Sequence, residues 1–204
     1  MLTRDLLAFV RASLPPPPAE VLEIGAGRGE LADALRAVGY LVTAIDPAAE
    51  SGSHVLRQSL LEAEGLFDAA VAVVALHHVD PLEESCAHLA TLIPPGGLVV
   101  IDEIDIERYD ERAVSWWIGQ RVAAGRPPSE QHPVRLLEEL RDHIHPLNRI
   151  GAALEPFFEL GQPVRGAYLH RWELQESLRE AEVDRIAEGL LPAVGSRQIA
   201  QRRS

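Results

Sequence analysis

The chain predicts an α/β fold: a doubly wound, mostly parallel seven-stranded sheet with a helical insertion after the fifth strand. Three observations predict it. Apolar strand-like runs alternate with helical patterns from residue 19 to 101; the first run enters a turn with glycine at every second position; several runs end in carboxylates. Open sheets of this kind bind ligands beyond the carboxyl ends of their strands.

The elements follow in order. Residues 3–13 have the spacing of a short amphipathic helix, stopped by the four prolines 15–18, which lack the N–H that a helix needs. Val21, Leu22 and Ile24 form the first buried strand, and Gly25, Gly27 and Gly29 allow a tight turn and close approach of a ligand to backbone. Glu23 is out of place in that strand, since a buried carboxylate needs a cationic or hydrogen-bonding partner; it suggests a ligand with an amino group. Leu31, Ala34, Leu35 and Val38 fall at helical spacing, with Gly39 as a stop. Residues 40–46 read as the second strand, ending in Asp46, and 54–59 as a shorter third.

Residues 67–76 are the fourth strand. Asp80, Pro81, Glu83 and Glu84 then read as a cap, an N1 proline and an acidic first turn for a helix that buries Leu82, Cys86, Leu89 and Ile93. Residues 98–101 are the fifth strand, ending in Asp102 and Glu103. From 104 to 152 the pattern becomes helical around Trp116-Trp117 and around residues 136–140, on either side of the connector 125–129; an insertion there would lie over the ligand edge as a lid. Residues 157–172 hold more strand material, and 173–188 read as a charged surface helix. The seventh strand is either part of a hairpin around Gly161 and Gly166 or the C-terminal segment. The terminal segment is preferred, because Val194, Ile199 and Ala200 otherwise have no role. The whole, residues 1–204, is expected to be one domain.

Composition excludes several chemistries. All 19 basic residues are arginine, so neither a Schiff-base lysine nor a phosphate-binding P-loop lysine is available. One cysteine, Cys86, excludes an intrachain disulfide and a Cys-rich zinc site. A net charge of −12 repels polyanions, so nucleic acid and anionic membranes are not expected partners. The charged N-terminus does not resemble an export signal, and no apolar run reaches the roughly 20 residues of a membrane span. A cytoplasmic protein, monomer or homodimer, with a small-molecule substrate is expected. His143 and His145 read as loop histidines, with no metal expected.

Glycine turns of this kind serve two cofactor classes. Dinucleotide sites favour Gly-x-Gly-x-x-Gly; position 30 here is Glu, whose carboxylate would crowd a pyrophosphate. At Glu23-x-Gly25-x-Gly27-x-Gly29, Asp46, Ala75-Leu-His-His-Val79 and Leu92-Ile-Pro-Pro-Gly-Gly-Leu-Val-Val100, the sequence resembles the class I S-adenosylmethionine-dependent methyltransferases. The resemblance covers residues 20–102 and implies strand order 3-2-1-4-5-7-6, with strand 7 antiparallel. It also implies S-adenosylmethionine as cofactor. By the resemblance Gly25, Ala26 and Gly27 approach its methionine part, Glu23 positions its amino group and Asp46 accepts from the ribose hydroxyls. Ser59 and Leu60 stand where the family contacts adenine, and Ala75 where backbone meets the methionine end. The chain departs from a common pattern at Ser59-Leu60, which lacks an acidic residue for the adenine amino group.

The implied reaction is methyl transfer to a small-molecule acceptor at O, N or C. In-line displacement from a sulfonium requires alignment more than acid–base chemistry. His77, His78 and Glu103 are the candidate catalytic residues, a histidine as base with Glu103 orienting it or binding substrate. Equally, one histidine packs the loop and Glu103 is solvated. Trp116 and Trp117 are candidates for an acceptor pocket in the lid, or else core residues. Two other readings stand beside this one. A nicotinamide-dependent oxidoreductase would need a proton donor, and the Tyr-x-x-x-Lys pair is absent; a binding protein without turnover would show an acceptor side blocked by Trp116 or Trp117.

Overall fold

The structure, a computed structural model, describes residues 2–126, 133–172 and 174–204. Most of the connector 125–129 lies outside these. Seven strands form one sheet: β1 (Glu20–Ile24), β2 (Leu41–Ile45), β3 (Ala69–Val73), β4 (Leu98–Ile104), β5 (Phe158–Leu160), β6 (Val164–Gly166) and β7 (Gly195–Arg202). The order is β2-β1-β3-β4-β7-β5, with β6 also on β7; β1 to β4 are parallel and β7 runs antiparallel to β4, β5 and β6. Class and order agree with the expectation, and the seventh strand is the C-terminal segment.

Two strands differ in detail. The expected third strand is a single bridge, Ile45 to Leu56. Val55 is buried there but Leu56 is 49% exposed, so too little apolar surface is covered to hold a longer ladder. The expected sixth strand is split into β5 and β6, which pair with β7 rather than with each other.

Alternation along the strands sorts side chains to two faces. On one, Val21, Val71 and Val100 pack against α1 (Arg4–Ser13) and α2 (Glu30–Arg36) through Leu6, Val10, Leu31 and Leu35. On the other, Leu22, Ala70, Val99 and Ile101 pack against α3 (Leu82–Leu92) and α6 (Leu147–Leu154). Thr3 caps α1 by accepting from Leu6 N at 3.2 Å. Helix α3 begins one residue later than the sequence suggests: Pro81 is the N-cap residue, and no side chain caps the helix.

The lid is built differently from expectation. α6 belongs to the sheet layer, so the insertion after β4 contributes α4 (Glu111–Ala123) and α5 (Pro133–His143). A second insertion, between β6 and β7, supplies Tyr168, Leu169 and Trp172, which join Tyr109, Val114 and Leu137 in one apolar cluster over the end of β4. It also carries α7 (Arg179–Ala187). No helix among the described residues is long and apolar enough to cross a membrane.

Candidate active site

Two cavities meet at Gly25, at the carboxyl ends of β1, β2 and β3. One, of about 440 Å3, is bordered by Asp46, Ser59, Leu60, Ala75 and His78; the other, of about 430 Å3, by Glu23, Ala26, Gly27, Glu30, by Leu2 just before α1 and by Leu6 within it. All eight residues expected at a cofactor thus border one cavity or the other.

The turn after β1 is shaped by close approach. Gly25 has φ +69°, and a Cβ there would sit 2.6 Å from Ala75 Cβ. Gly27 has φ +55°, but a Cβ would meet no atom within 4 Å: its bareness leaves open space that the protein does not fill. Asp46 closes the turn, accepting from Gly27 N at 2.8 Å and from Ala48 N at 2.7 Å. These bonds leave acceptor capacity on both oxygens of the carboxylate. Ser59 donates its hydroxyl to Glu62 (2.8 Å), which leaves Leu60 as the apolar wall.

Glu23 is 4% exposed, and its Oε2 has no hydrogen-bond partner among the described residues. Burial pushes its carboxyl up from 4.5 to about 7; the backbone of Ala32 and the Arg36 guanidinium oppose the rise, while Asp33 and Asp46 add to it. A buried carboxylate with one oxygen left over beside an open cradle fits a ligand carrying an ammonium group.

Glu103 is fully buried within β4, not solvated at its end. One oxygen accepts from Ala75 N (2.9 Å) and Leu76 N (2.7 Å); the other lies 2.6 Å from His77 Nδ1. A carboxylate only accepts, so Nδ1 carries a proton. Just before this clamp Val74 has φ +53°, a strained conformation for a β-branched residue. The strained turn swings the chain out of β3 and presses Ala75 against Gly25. His78 is exposed and borders the 440 Å3 cavity, whereas His77 is buried beneath it, the two rings 4.1 Å apart. Partial burial, then the charge of His77, lowers the His78 pKa below its ordinary value.

The tryptophans are placed elsewhere. Trp117 is buried, stacks on Trp172 at 4.4 Å and donates Nε1–H to Trp172 O; Trp116 packs in the same cluster. Neither borders the two cavities, because helical spacing turns both toward the second insertion.

Sequence reasoning missed a second clamp. Glu182, fully buried in the expected surface helix, accepts from Tyr168 N, Leu169 N and His170 N and lies 2.7 Å from His170 Nδ1. It repeats the Glu103 arrangement on the second insertion. The available signal is the pair Ala75-Leu76-His77 and Tyr168-Leu169-His170, each with Leu-His in a 3-10 turn.

A profile of the methyltransferase domain family matches residues 2–148. The chain is 34% identical over 119 residues to a ubiquinone biosynthesis O-methyltransferase of Xanthomonas campestris, covering 48% of each chain, so it spans about half the length of that relative. A S-adenosylmethionine-dependent methyltransferase of Mesorhizobium loti shares the fold at TM-score 0.60 and 20% identity, over 98% of both chains. An N-methyltransferase of Bradyrhizobium japonicum, solved with S-adenosylhomocysteine, does so at 0.59 and 14%, over 98% of this chain and 86% of its own. With the glycine turn, the cavities and the profile in agreement, the chain belongs to the methyltransferase domain family and has the class I S-adenosylmethionine-dependent fold.

Proposed function

We propose that the chain transfers a methyl group from S-adenosylmethionine to a small-molecule acceptor. The observation that carries this is the pair of cavities joined at Gly25, one with the remaining Glu23 Oε2 for an ammonium, the other with Asp46 for a diol. Bound there, the cofactor supplies a methyl group on a sulfonium, already activated for displacement. The protein's residues have to hold, orient and exclude water. Glu23 binds the amino group, Asp46 accepts from the ribose, Leu60 and Ser59 flank the adenine, and the Ala75 backbone, set by Glu103, borders the methionine end. Ala26 and Gly27 line the cradle. His78 is the better-placed base for an acceptor that must lose a proton; His77 supports the turn. Trp116 and Trp117 hold the lid together rather than touch the acceptor.

Glu30 disfavours the dinucleotide alternative, since its carboxylate opens α2 and borders the cavity where a pyrophosphate would lie. A binding protein without turnover finds no support in Trp116 or Trp117, which block neither cavity.

Calorimetry with S-adenosylhomocysteine tests the proposal: one site per chain is expected, and no binding would sink it. Glu23 adds a pH signature. Its folded-state pKa is raised, so folding favours the protonated form; that contribution is complete below 4.5 and lost as pH rises through about 7. The ligand-free chain should lose roughly 3 kcal/mol over this interval. E23Q should flatten that slope in urea titrations at pH 5 and 8, and should weaken S-adenosylhomocysteine binding most at pH 8.

A further inference from the structure

A separate cavity of about 210 Å3 lies on the α1 face of the sheet, where β4 and β6 end and β7 begins. Its chemistry is unlike that of the cofactor cleft. Four arginines line it, Arg165 from β6, Arg171 from the turn after Tyr168, Arg179 from α7 and Arg197 from β7. Among the described residues the carboxylates in its lining are Asp5 and Asp102, so that lining is formally +2 within a chain of −12. A third carboxylate, Asp105, pairs with Arg165 at 2.9 Å and still leaves the cluster positive.

The two lining carboxylates differ in kind. Asp102 is 3% exposed and belongs to the wall, bonded to Arg171 and, at 2.8 Å, to Arg197 Nε. Asp5 reaches in from α1 and remains 41% exposed, bridging Arg197 at 2.8 Å and Arg179 at 3.3 Å. Even so the arginines are not all satisfied among the described residues: the Arg171 side chain is 7% exposed, and its Nε is buried with no hydrogen-bond partner there. A buried donor without an acceptor is costly in a structure that has only to hold itself together.

Register puts this cavity beside the cleft. Asp102 pairs with Val73, and Val73 borders the Glu23 cavity on the same face. Helix α1 borders both, with Leu6 at one and Asp5 at the other. Asp102 and Glu103, adjacent on β4, project to opposite faces, one to the arginines and one to the Ala75 turn.

We propose that the arginine cavity is the subsite for an anionic group of the acceptor, a carboxylate or phosphate, and that Asp5 is its internal stand-in when no acceptor is bound. The proposal rests on reading the neighbouring cleft as the cofactor site. Guanidinium forks suit planar oxyanions, and an incoming anion displaces the exposed Asp5 while Asp102 stays in the wall.

The test titrates inorganic phosphate and benzoate, at constant ionic strength, into the full chain loaded with S-adenosylhomocysteine. Melting temperature and tryptophan fluorescence report, since Trp172 directly follows Arg171. A saturable rise in melting temperature is expected. R179Q should weaken it about tenfold, and D5N should tighten it about tenfold while lowering the melting temperature without anion. Ion pairs that merely stitch α1 to β7 would give the stability loss in D5N with no saturable response, and that overturns the proposal. So does tenfold weaker S-adenosylhomocysteine binding in R179Q, with no anion uptake by the loaded chain, because the cavity then holds the cofactor's own carboxylate. Failure to bind S-adenosylhomocysteine at all would overturn the reading of the cleft and the proposal together; binding without an anion response overturns the proposal alone.

Discussion

Glu103→Ala should destabilise the chain by about 3–5 kcal/mol and abolish measurable S-adenosylhomocysteine binding. The carboxylate is fully buried and gathers two backbone N–H groups and a ring N–H at 2.6 to 2.9 Å. Alanine leaves all three donors without an acceptor in a site closed to water. Val74 adds a second consequence. Its φ of +53° stores about 1–3 kcal/mol of strain, which persists only while the surroundings hold it. Without the clamp the turn relaxes; the released strain offsets part of the loss, but Ala75 no longer rests against Gly25. Glu103→Gln separates charge from shape. Its amide oxygen still accepts from Ala75 and Leu76, while its NH2 faces His77 Nδ1 and selects the other tautomer, with the proton on Nε2. A loss of about 1–2 kcal/mol is expected, with binding retained. Urea midpoints and calorimetry on both variants check this. An alanine variant within about 0.5 kcal/mol of the wild type would mean that packing, not the carboxylate, holds the turn.

What was legible in the sequence was local. Val21 to Gly29 announces a buried strand and an unusual turn because burial and φ > 0 leave marks at fixed spacing, and Asp46 stands where a strand-end carboxylate is expected. Partners distant in the chain left no such mark. Asp102 and Glu103 look like a solvated strand end because nothing nearby neutralises them; Arg171 and Arg197, which bind Asp102, lie 69 and 95 positions away. Without those partners the strand is cut short at residue 101, whereas β4 runs on to Ile104. Glu182 is hidden for the same reason, in a helix where Glu180, Asp184 and Arg185 are exposed. Trp117 is a further case: its Nε1–H meets Trp172 O in the second insertion, 55 positions on, and nothing near it in the sequence says so.

Gly25→Ala and Gly27→Ala should separate folding from binding, because the two glycines are required for different reasons. Both have positive φ, so either alanine strains the backbone by about 1–2 kcal/mol. At position 25 the new methyl also stands 2.6 Å from Ala75 Cβ, and Ala75 cannot simply retreat while Glu103 holds its N–H. That clash should add about 1–3 kcal/mol, so G25A loses stability and ligand binding together. At position 27 the added methyl would meet no atom of the described residues within 4 Å beyond the adjoining chain, and the fold should lose only the backbone strain. The methyl instead occupies the cradle where the ligand's methionine portion is proposed to lie. S-adenosylhomocysteine affinity should therefore fall about a hundredfold in G27A with little loss of stability, a binding change of about 2.8 kcal/mol against a smaller folding change. Equilibrium unfolding and calorimetry on the two variants give four numbers, and their pattern matters more than any one of them. Near-wild-type affinity in G27A would mean that the open space beside Gly27 is not where the ligand binds. Wild-type stability in G25A would mean that the Val74 turn yields easily, and the account of Glu103 as a rigid clamp would fail with it.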